Sequence, residues 1–285
     1  MLPFYPESAE LDLSQRSELE PILKEYNEGL SEFTFANLFL FRSKHNYRIC
    51  ILKENILLIT GNDSGKPFFI LPTRLPEKDI LLALFAKYQC MKCVSETKQV
   101  LLRSLGFRVE EDRDNFDYLY FRSELANLPG KRFHKKRNLV QGFLNNYRCE
   151  GQPLLKENIP DAFAVLAKWH NTQGEPSDLS ETAEALQLFT ELKLCGAIYY
   201  IEKQPVGFVI GEPLVENLSY VIHFEKADTT YKGIYQFINK AFASILPKKY
   251  IYLNREQDLG DEGLRQAKLS YRPCGFIKKY RVFGP

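Results

Sequence analysis

The sequence predicts an α+β fold made of two units in tandem, each a mixed, mostly antiparallel sheet flanked by helices. Three observations predict it. The 285 residues are nearly twice an ordinary domain length, so two domains of about 140 residues are expected. Hydrophobic residues make up 45% and charged residues 26%, a balance that supports packed cores and excludes a disordered chain. Both halves also repeat one order of elements, helix, antiparallel hairpin, helix, without visible sequence identity. The expected divisions are a first domain over residues 1–125, a basic linker helix within 126–150, and a second domain over 151–285 that holds the active cleft.

The elements follow in order. Leu19–Leu30 has helical spacing, and after Phe33–Phe41 the residues alternate in Tyr47–Leu52 and Asn55–Thr60 around a Lys53-Glu54 turn, as paired strands do. Gly61-Asn-Asp-Ser-Gly-Lys66 has the look of a phosphate loop, but its glycines are one residue too close and Pro67 stands where Ser or Thr is needed. It is read as a plain hairpin turn before the strand Pro67–Leu71. Glu77–Tyr88 and Glu96–Leu105 are helical, with Gly106 as C-cap, and Phe107–Glu111 and Phe116–Phe121 return to strand character. Pro129-Gly130 breaks the chain before a basic helix, Lys135–Tyr147, whose buried face is Leu139, Val140, Phe143, Leu144 and Tyr147. An amphipathic helix to Trp169-His170 and a second helix, Ser180–Leu194 capped by Ser180, open the second half. A hairpin over Gly196–Gly211 turns at Glu202–Gln204. A strand at Leu218–Phe224, a helix at Thr229–Leu246, a strand at Tyr250–Leu253 and a helix at Glu262–Tyr271 complete it.

Composition narrows the function classes. No apolar run approaches the roughly 20 residues that span a bilayer, and the opening Met1-Leu-Pro-Phe-Tyr-Pro lacks a signal peptide's basic and apolar regions, so a cytoplasmic location is expected. The six cysteines suit reduced thiols better than a disulfide framework. Cys90-Met-Lys-Cys93 lacks the second close pair that a structural zinc site requires, and His45, His134, His170 and His223 have no ligand spacing, so no metal is expected. The net charge of +2 gives no general case for a polyanionic partner. Locally, Lys131–Arg137 packs five permanent cations and a histidine into seven residues: either a solvated helix start, or a holder of phosphates on a nucleic acid, coenzyme or lipid head group, with Lys135, Lys136 and Arg137 as its contacts.

Several blocks together carry a family resemblance. His223-Phe-Glu225-Lys226-Ala-Asp228, Gly233-Ile-Tyr235-Gln236-Phe-Ile-Asn239, Asn254-Arg-Glu256-Gln-Asp258-Leu-Gly260 and Gly263-Leu264-Arg265-Gln-Ala-Lys268-Leu-Ser270-Tyr271-Arg-Pro273 resemble the DUF2156 family. That family contains the C-terminal catalytic domain of phosphatidylglycerol lysyltransferase. Ser31–Asn37 and Lys135-Lys-Arg137-Asn138 are similar to it as well. The resemblance implies two tandem GNAT-like domains related to the Fem-type aminoacyltransferases, in which two neighbouring strands splay apart to admit an ester or thioester donor. It implies aminoacyl-tRNA as co-substrate, and tRNA and an anionic lipid head group as partners. Where the lysyltransferases show an Asp followed three positions later by Arg, this chain is expected to place His223 and Lys226, and their preceding membrane region is not expected here.

Coenzyme A-dependent GNAT enzymes carry [RQ]xxGx[GA] at the pyrophosphate because backbone N–H groups there must approach the phosphates closely. The corresponding Thr230-Tyr-Lys-Gly233-Ile-Tyr235 matches only at Gly233, although Lys232 and the helix start still form an anion site. Acyl-coenzyme A is therefore the alternative co-substrate, and a non-catalytic GNAT-like binding protein the alternative class.

Group transfer needs a base for the acceptor, donors for the oxyanion and an acid for the leaving atom. Alternation places His223 opposite Tyr220, Ile222 and Phe224, near its strand end; it is either a base at the cleft or a core histidine with a satisfied hydrogen bond. Glu225 orients a base or holds a cationic aminoacyl group, and Lys226 binds a donor phosphate, unless the two form a surface ion pair. Lys268 and Tyr271 are three apart on the last helix and share a face; the resemblance nominates Tyr271 as leaving-group acid, and packing is its alternative. Asn254, Glu256 and Asp258 alternate after a strand, either to bind an acceptor amine or as solvated loop residues.

Overall fold

A computed structural model describes residues 2–172 and 178–285. In chain order the strands are β1 (Ala9–Glu10), β2 (Arg48–Leu52), β3 (Ile56–Asp63), β4 (Lys66–Ile70), β5 (Cys90–Val94), β6 (Arg108–Glu111), β7 (Asp117–Phe121), β8 (Cys149–Pro153), β9 (Cys195–Ile201), β10 (Gln204–Val215), β11 (Ser219–Ala227), β12 (Tyr252–Asn254), β13 (Gly275–Ile277) and β14 (Tyr280–Phe283). The helices are α1 (Arg16–Tyr26), α2 (Phe35–Leu40), α3 (Arg42–His45), α4 (Lys78–Phe85), α5 (Glu96–Ser104), α6 (Arg122–Asn127), α7 (His134–Asn146), α8 (Ile159–Thr172), α9 (Leu179–Gln187), α10 (Ile234–Ile245) and α11 (Glu262–Leu269).

The chain divides into two units. The first takes the residues up to Asp117 together with 257–262 and 276–285, and the second takes 118–256 and 263–275. Their sheets run β1-β2-β3-β4-β5-β14-β6 and β13-β7-β12-β11-β10-β9-β8. This corrects the expected divisions at 125 and 150. β7 belongs to the second sheet, and β14 inserts between β5 and β6 of the first, where Tyr280 and Val282 join its core. An extended segment pairs with whichever open edge its side chains complement, and distance along the chain does not reveal that edge. The basic helix α7 is no linker either. It packs inside the second unit, where Phe143 stacks on Phe237 of α10 at 4.8 Å.

Local chemistry explains the elements. α5 starts where Ser95 Oγ accepts from the Lys98 N–H, and ends before Gly106 at φ 89°. The β3–β4 turn places Ser64 and Gly65 at positive φ, and the β9–β10 turn does so with Glu202 and Lys203, the backbone that tight two-residue hairpins demand. β10 is interrupted beside Pro205, Gly211 and Pro213. A Cβ at Gly211 would lie 2.0 Å from the Val221 carbonyl oxygen, so only glycine fits that approach.

In the first unit Lys279, only 1% exposed, donates to Glu32 at 2.7 Å and Asp117 at 2.6 Å. Ser31 donates to Asp117 through both N–H and Oγ at 2.9 Å. Burial pushes the Glu32 carboxyl up to about 7 against the pull of Lys279.

Candidate active site in the second unit

β11 runs parallel to β12 through Ser219↔Tyr252, Tyr220↔Leu253 and Val221↔Asn254. There the pairing stops, although β11 continues to Ala227. The cause is local. Asn254 Oδ1 accepts the Glu256 N–H at 2.8 Å, closing a side-chain turn, and Glu256 adopts φ 53°. The exiting chain stays with β7, with the Arg255 N–H on the Tyr118 carbonyl and the Tyr118 N–H on the Glu256 carbonyl. Lys268 Nζ donates to the Arg255 and Glu256 carbonyls at 2.6 and 3.1 Å, which meets the hydrogen-bonding need of a bent strand end.

Charged side chains occupy the region where the strands part. His223 Nδ1 meets Glu256 Oε1 at 2.7 Å and Nε2 meets Glu212 Oε1 at 3.0 Å. Burial opposes a charge on the ring, but the bonds to Glu212 and then Glu256 outweigh it and raise the imidazole to about 10. At neutral pH this ring is an imidazolium that donates from both nitrogens and has no lone pair free. The general-base role expected of His223 therefore finds no support in its geometry. Its alternative, a buried histidine with satisfied hydrogen bonds, describes it.

Glu225 Oε2 lies 3.2 Å from Arg255 Nη2. Asn239 of α10, with its amide oxygen toward the guanidinium, accepts from Arg255 Nη1 at 2.7 Å. Burial pushes the Glu225 carboxyl up while Arg255 and Asn239 draw it back. The Arg255 guanidinium carbon is 5.2 Å from the centre of the Tyr271 ring, and Lys136 Nζ of α7 sits 4.0 Å from the same centre. Burial pushes the Tyr271 phenol up, with Arg255 opposing. Burial, and then the charge of Arg255, bring the Lys136 amine down to about 8.

Of the residues anticipated, His223, Glu225, Glu256, Tyr271 and Lys136 come together. Lys268 and Asn254 shape the backbone beneath them. The others go elsewhere, each for a visible reason. Lys226 alternates with Glu225 and faces the other side of the sheet, bonded to Asp178 at 2.7 Å and 3.8 Å from the centre of the Trp169 ring. Asp258 lies in the first unit, fully buried, with Arg113 at 3.3 Å and the Gly260 N–H at 2.9 Å. Lys135 and Lys232 are exposed. Arg137 donates to the Leu128 and Gly130 carbonyls and so anchors the turn before α7. Gly233 has φ 93°, and a Cβ there would lie 2.6 Å from the Leu139 carbonyl oxygen. The close approach that demands this glycine is made by α7, which leaves its expected contact with a phosphate without a separate reason. Tyr271 lies in the turn after α11, two residues past its end.

The sequence pattern does not mark Arg255, Asn239 or Glu212 individually. Arg255 and Asn239 stand inside the motif blocks quoted above, which was a usable signal. Glu212 had none, because its strand carries a bulge that redirects its neighbours. Among the described residues no group of three or more His, Cys, Asp or Glu could hold a metal ion, and no helix is long and apolar enough to cross a membrane.

Residues 23–283 match the family model described as phosphatidylglycerol lysyltransferase, C-terminal. An uncharacterized protein of Mycoplasmoides gallisepticum is 30% identical over 183 residues, which is 61% of this chain and 57% of that protein, so the match spans little more than half of the relative. A conserved protein of unknown function from Bacteroides thetaiotaomicron superposes with a TM-score of 0.87 at 30% identity, over 99% of both chains. L-PGS from Bacillus licheniformis superposes at 0.65 with 14% identity, over 99% of this chain and 93% of that one. A tandem GNAT protein from the clavulanic acid biosynthesis pathway gives 0.54 at 7% identity over 98% of both. The last two establish the fold as tandem GNAT.

Proposed function

The chain belongs to the phosphatidylglycerol lysyltransferase C-terminal family, and from that premise we propose that it moves an aminoacyl group from aminoacyl-tRNA to an amine or hydroxyl acceptor, with the glycerol of a phosphatidylglycerol head group as the favoured hydroxyl. One observation carries the reading: β11 and β12 part around Glu225, Arg255, Tyr271 and Lys136.

Each member has a role. Arg255 is a fixed positive charge, held by Glu225 and Asn239, beside which the oxyanion of a tetrahedral intermediate is stabilised without reorganisation. Tyr271 keeps its proton because burial raises its phenol. Such an acid suits a ribose alkoxide, a far more basic leaving group than a thiolate, and this favours an ester donor over a thioester. Glu256, pinned by His223, sets the path of the chain that carries Arg255 and is a positioning residue. The exposed Lys131, Arg132 and Lys135 offer phosphate contacts to tRNA. Coenzyme A is disfavoured because the approach of α7 already accounts for Gly233 and Tyr235 stands where the pyrophosphate pattern has Gly or Ala.

The test is direct. Purified protein is incubated with labelled lysyl- or alanyl-tRNA and vesicles of phosphatidylglycerol, and the lipid fraction is resolved by chromatography. Label is expected in lipid. Consumption of acetyl-coenzyme A with a metabolite extract, with no loss of aminoacyl-tRNA, would overturn the proposal.

A further inference from the structure

The proposed reaction still lacks a base. The acceptor hydroxyl must lose a proton as it attacks, yet His223 is committed to Glu212 and Glu256, and Glu225 to Arg255 and Asn239. One amine at the site has no such commitment. Lys136 reaches from α7 onto the face of Tyr271, and among the described residues it has neither a carboxylate within ion-pair distance nor a hydrogen-bond acceptor. The ionic group acting on it is a like charge, Arg255, which lies near the same ring. Its helix is firmly placed by the stacking of Phe143 on Phe237 and by the close seat of Leu139 against Gly233.

We propose that Lys136 is the catalytic base of the transfer, and that it works as a pair with Tyr271. The neutral amine takes the proton of the acceptor hydroxyl while the acceptor oxygen bonds to the ester carbonyl carbon. The tetrahedral intermediate then collapses, the bond from carbon to the ribose oxygen breaks, and Tyr271 gives its proton to that oxygen. The Lys136 ammonium then gives up its proton and the Tyr271 phenolate regains one, exchanged through solvent water, so both groups end as they began. The surroundings fit each stage. Burial and Arg255 hold the amine at about 8, near the value at which a base works best in neutral solution. Once protonated, the ammonium lies over an electron-rich ring that stabilises it.

This role rests on the transfer reading, and the experiment separates the two. Single-turnover rates from lysyl-tRNA to phosphatidylglycerol vesicles are measured against pH for the wild type, K136R and K136A. Alongside them, the lysines are methylated with ¹³C-formaldehyde and titrated by NMR, with K136R identifying the Lys136 signal. The wild-type rate is expected to rise with pH to a plateau past about 8, and the Lys136 signal to titrate there while exposed lysines titrate near ~10.4. K136R keeps the charge and cannot give up its proton, so its rate is expected to fall at least ~100-fold with tRNA binding retained. Small amines are expected to rescue K136A in order of their basicity. An active wild type with an undiminished K136R, or a Lys136 signal titrating with the exposed lysines, overturns the base and leaves the transferase standing. A wild type that transfers from no aminoacyl-tRNA overturns both.

Discussion

In the first unit β4 and β5 run parallel through Phe68↔Cys90 and Phe69↔Met91 and then stop pairing; in the second, β11 and β12 do so through three pairs. Each unit then sends in a lysine from the helix that follows the second strand of the pair. Lys98 of α5 donates to the Leu71 and Pro72 carbonyls at 2.9 and 2.7 Å, as Lys268 of α11 does to those of Arg255 and Glu256. Lys98 braces the chain leaving the first strand of its pair and Lys268 the chain leaving the second, and the contents differ as well. Around the first parting lie Phe69, Leu71, Leu81, Leu84, Met91 and Leu102, all buried in one apolar cluster. Around the second lie His223, Glu225, Arg255 and Glu256. Parting strands therefore do not make a site by themselves. The chemistry depends on what the freed faces carry: beside the first, Lys98 is tied to two carbonyls against an apolar cluster, while the second gathers His223, Glu225, Arg255 and Glu256.

The comparison can be broken at several points, and the largest effect is expected at His223. Its ring is raised from 6.5 to about 10 in the folded state. The stability it lends is complete below pH 6.5, declines above that, and is gone once pH passes about 10. At roughly 1.4 kcal/mol per unit, the whole is ~5 kcal/mol. Urea unfolding of the wild type between pH 6 and 10.5 should show this slope, and His223→Gln should flatten it; an equal slope in both would mean that the imidazolium is not what joins Glu212 to Glu256.

Lys279→Met is expected to cost ~3–5 kcal/mol, because it strands the Glu32 and Asp117 carboxylates in the first core. Transfer by the protein that remains folded should be little changed. Glu32 adds a pH signature of its own. Its carboxyl is raised to about 7, so its share of stability is complete below about 4.5 and lost as pH rises through 7. Glu32→Gln should remove that dependence, as read from urea midpoints at pH 5 and 8.

Lys98→Met and Lys268→Met form a matched pair. Lys98→Met leaves the Leu71 and Pro72 carbonyls short of a donor, and Lys268→Met does so for Arg255, while the Glu256 carbonyl keeps the Tyr118 N–H; each should cost ~1–3 kcal/mol. Only Lys268→Met should also slow transfer, since it alone frees the backbone that carries Arg255. Equal slowing by both would erase the distinction between the units. Gly233→Ala is expected to cost at least ~1–2 kcal/mol in thermal unfolding, from a Cβ pressed on the Leu139 carbonyl at positive φ. Neither the wild type nor this variant should gain thermal stability from acetyl-coenzyme A.

Much of this was legible in the chain. The hairpin at Gly61–Lys66 was read from glycine spacing and Pro67, and Ser64-Gly65 forms that turn. The strand, helix, strand, helix order after residue 196 was read from periodicity and holds, because alternation and helical spacing are properties of neighbouring residues. Tyr271, Glu225 and Lys136 stood in blocks that resemble a family. The fates of Lys226, Asp258 and Gly233 were not legible. Lys226 follows Glu225 directly, yet the pleat sends the two to opposite faces. Asp258 lies two residues past Glu256, but the chain has by then entered the other unit.

By itself, the order of residues determined the elements, their turns and the family, since propensity, side-chain period and motif are all local quantities. Only the tertiary structure decided that β14 returns to the first sheet, that His223 is clasped by two carboxylates, and that Lys136 rests on Tyr271 beside Arg255. Those outcomes depend on burial and on charges brought together from positions up to 135 residues apart (Lys136 to Tyr271). The energy of a buried charge is set by its neighbours in space, and the linear chain does not record them.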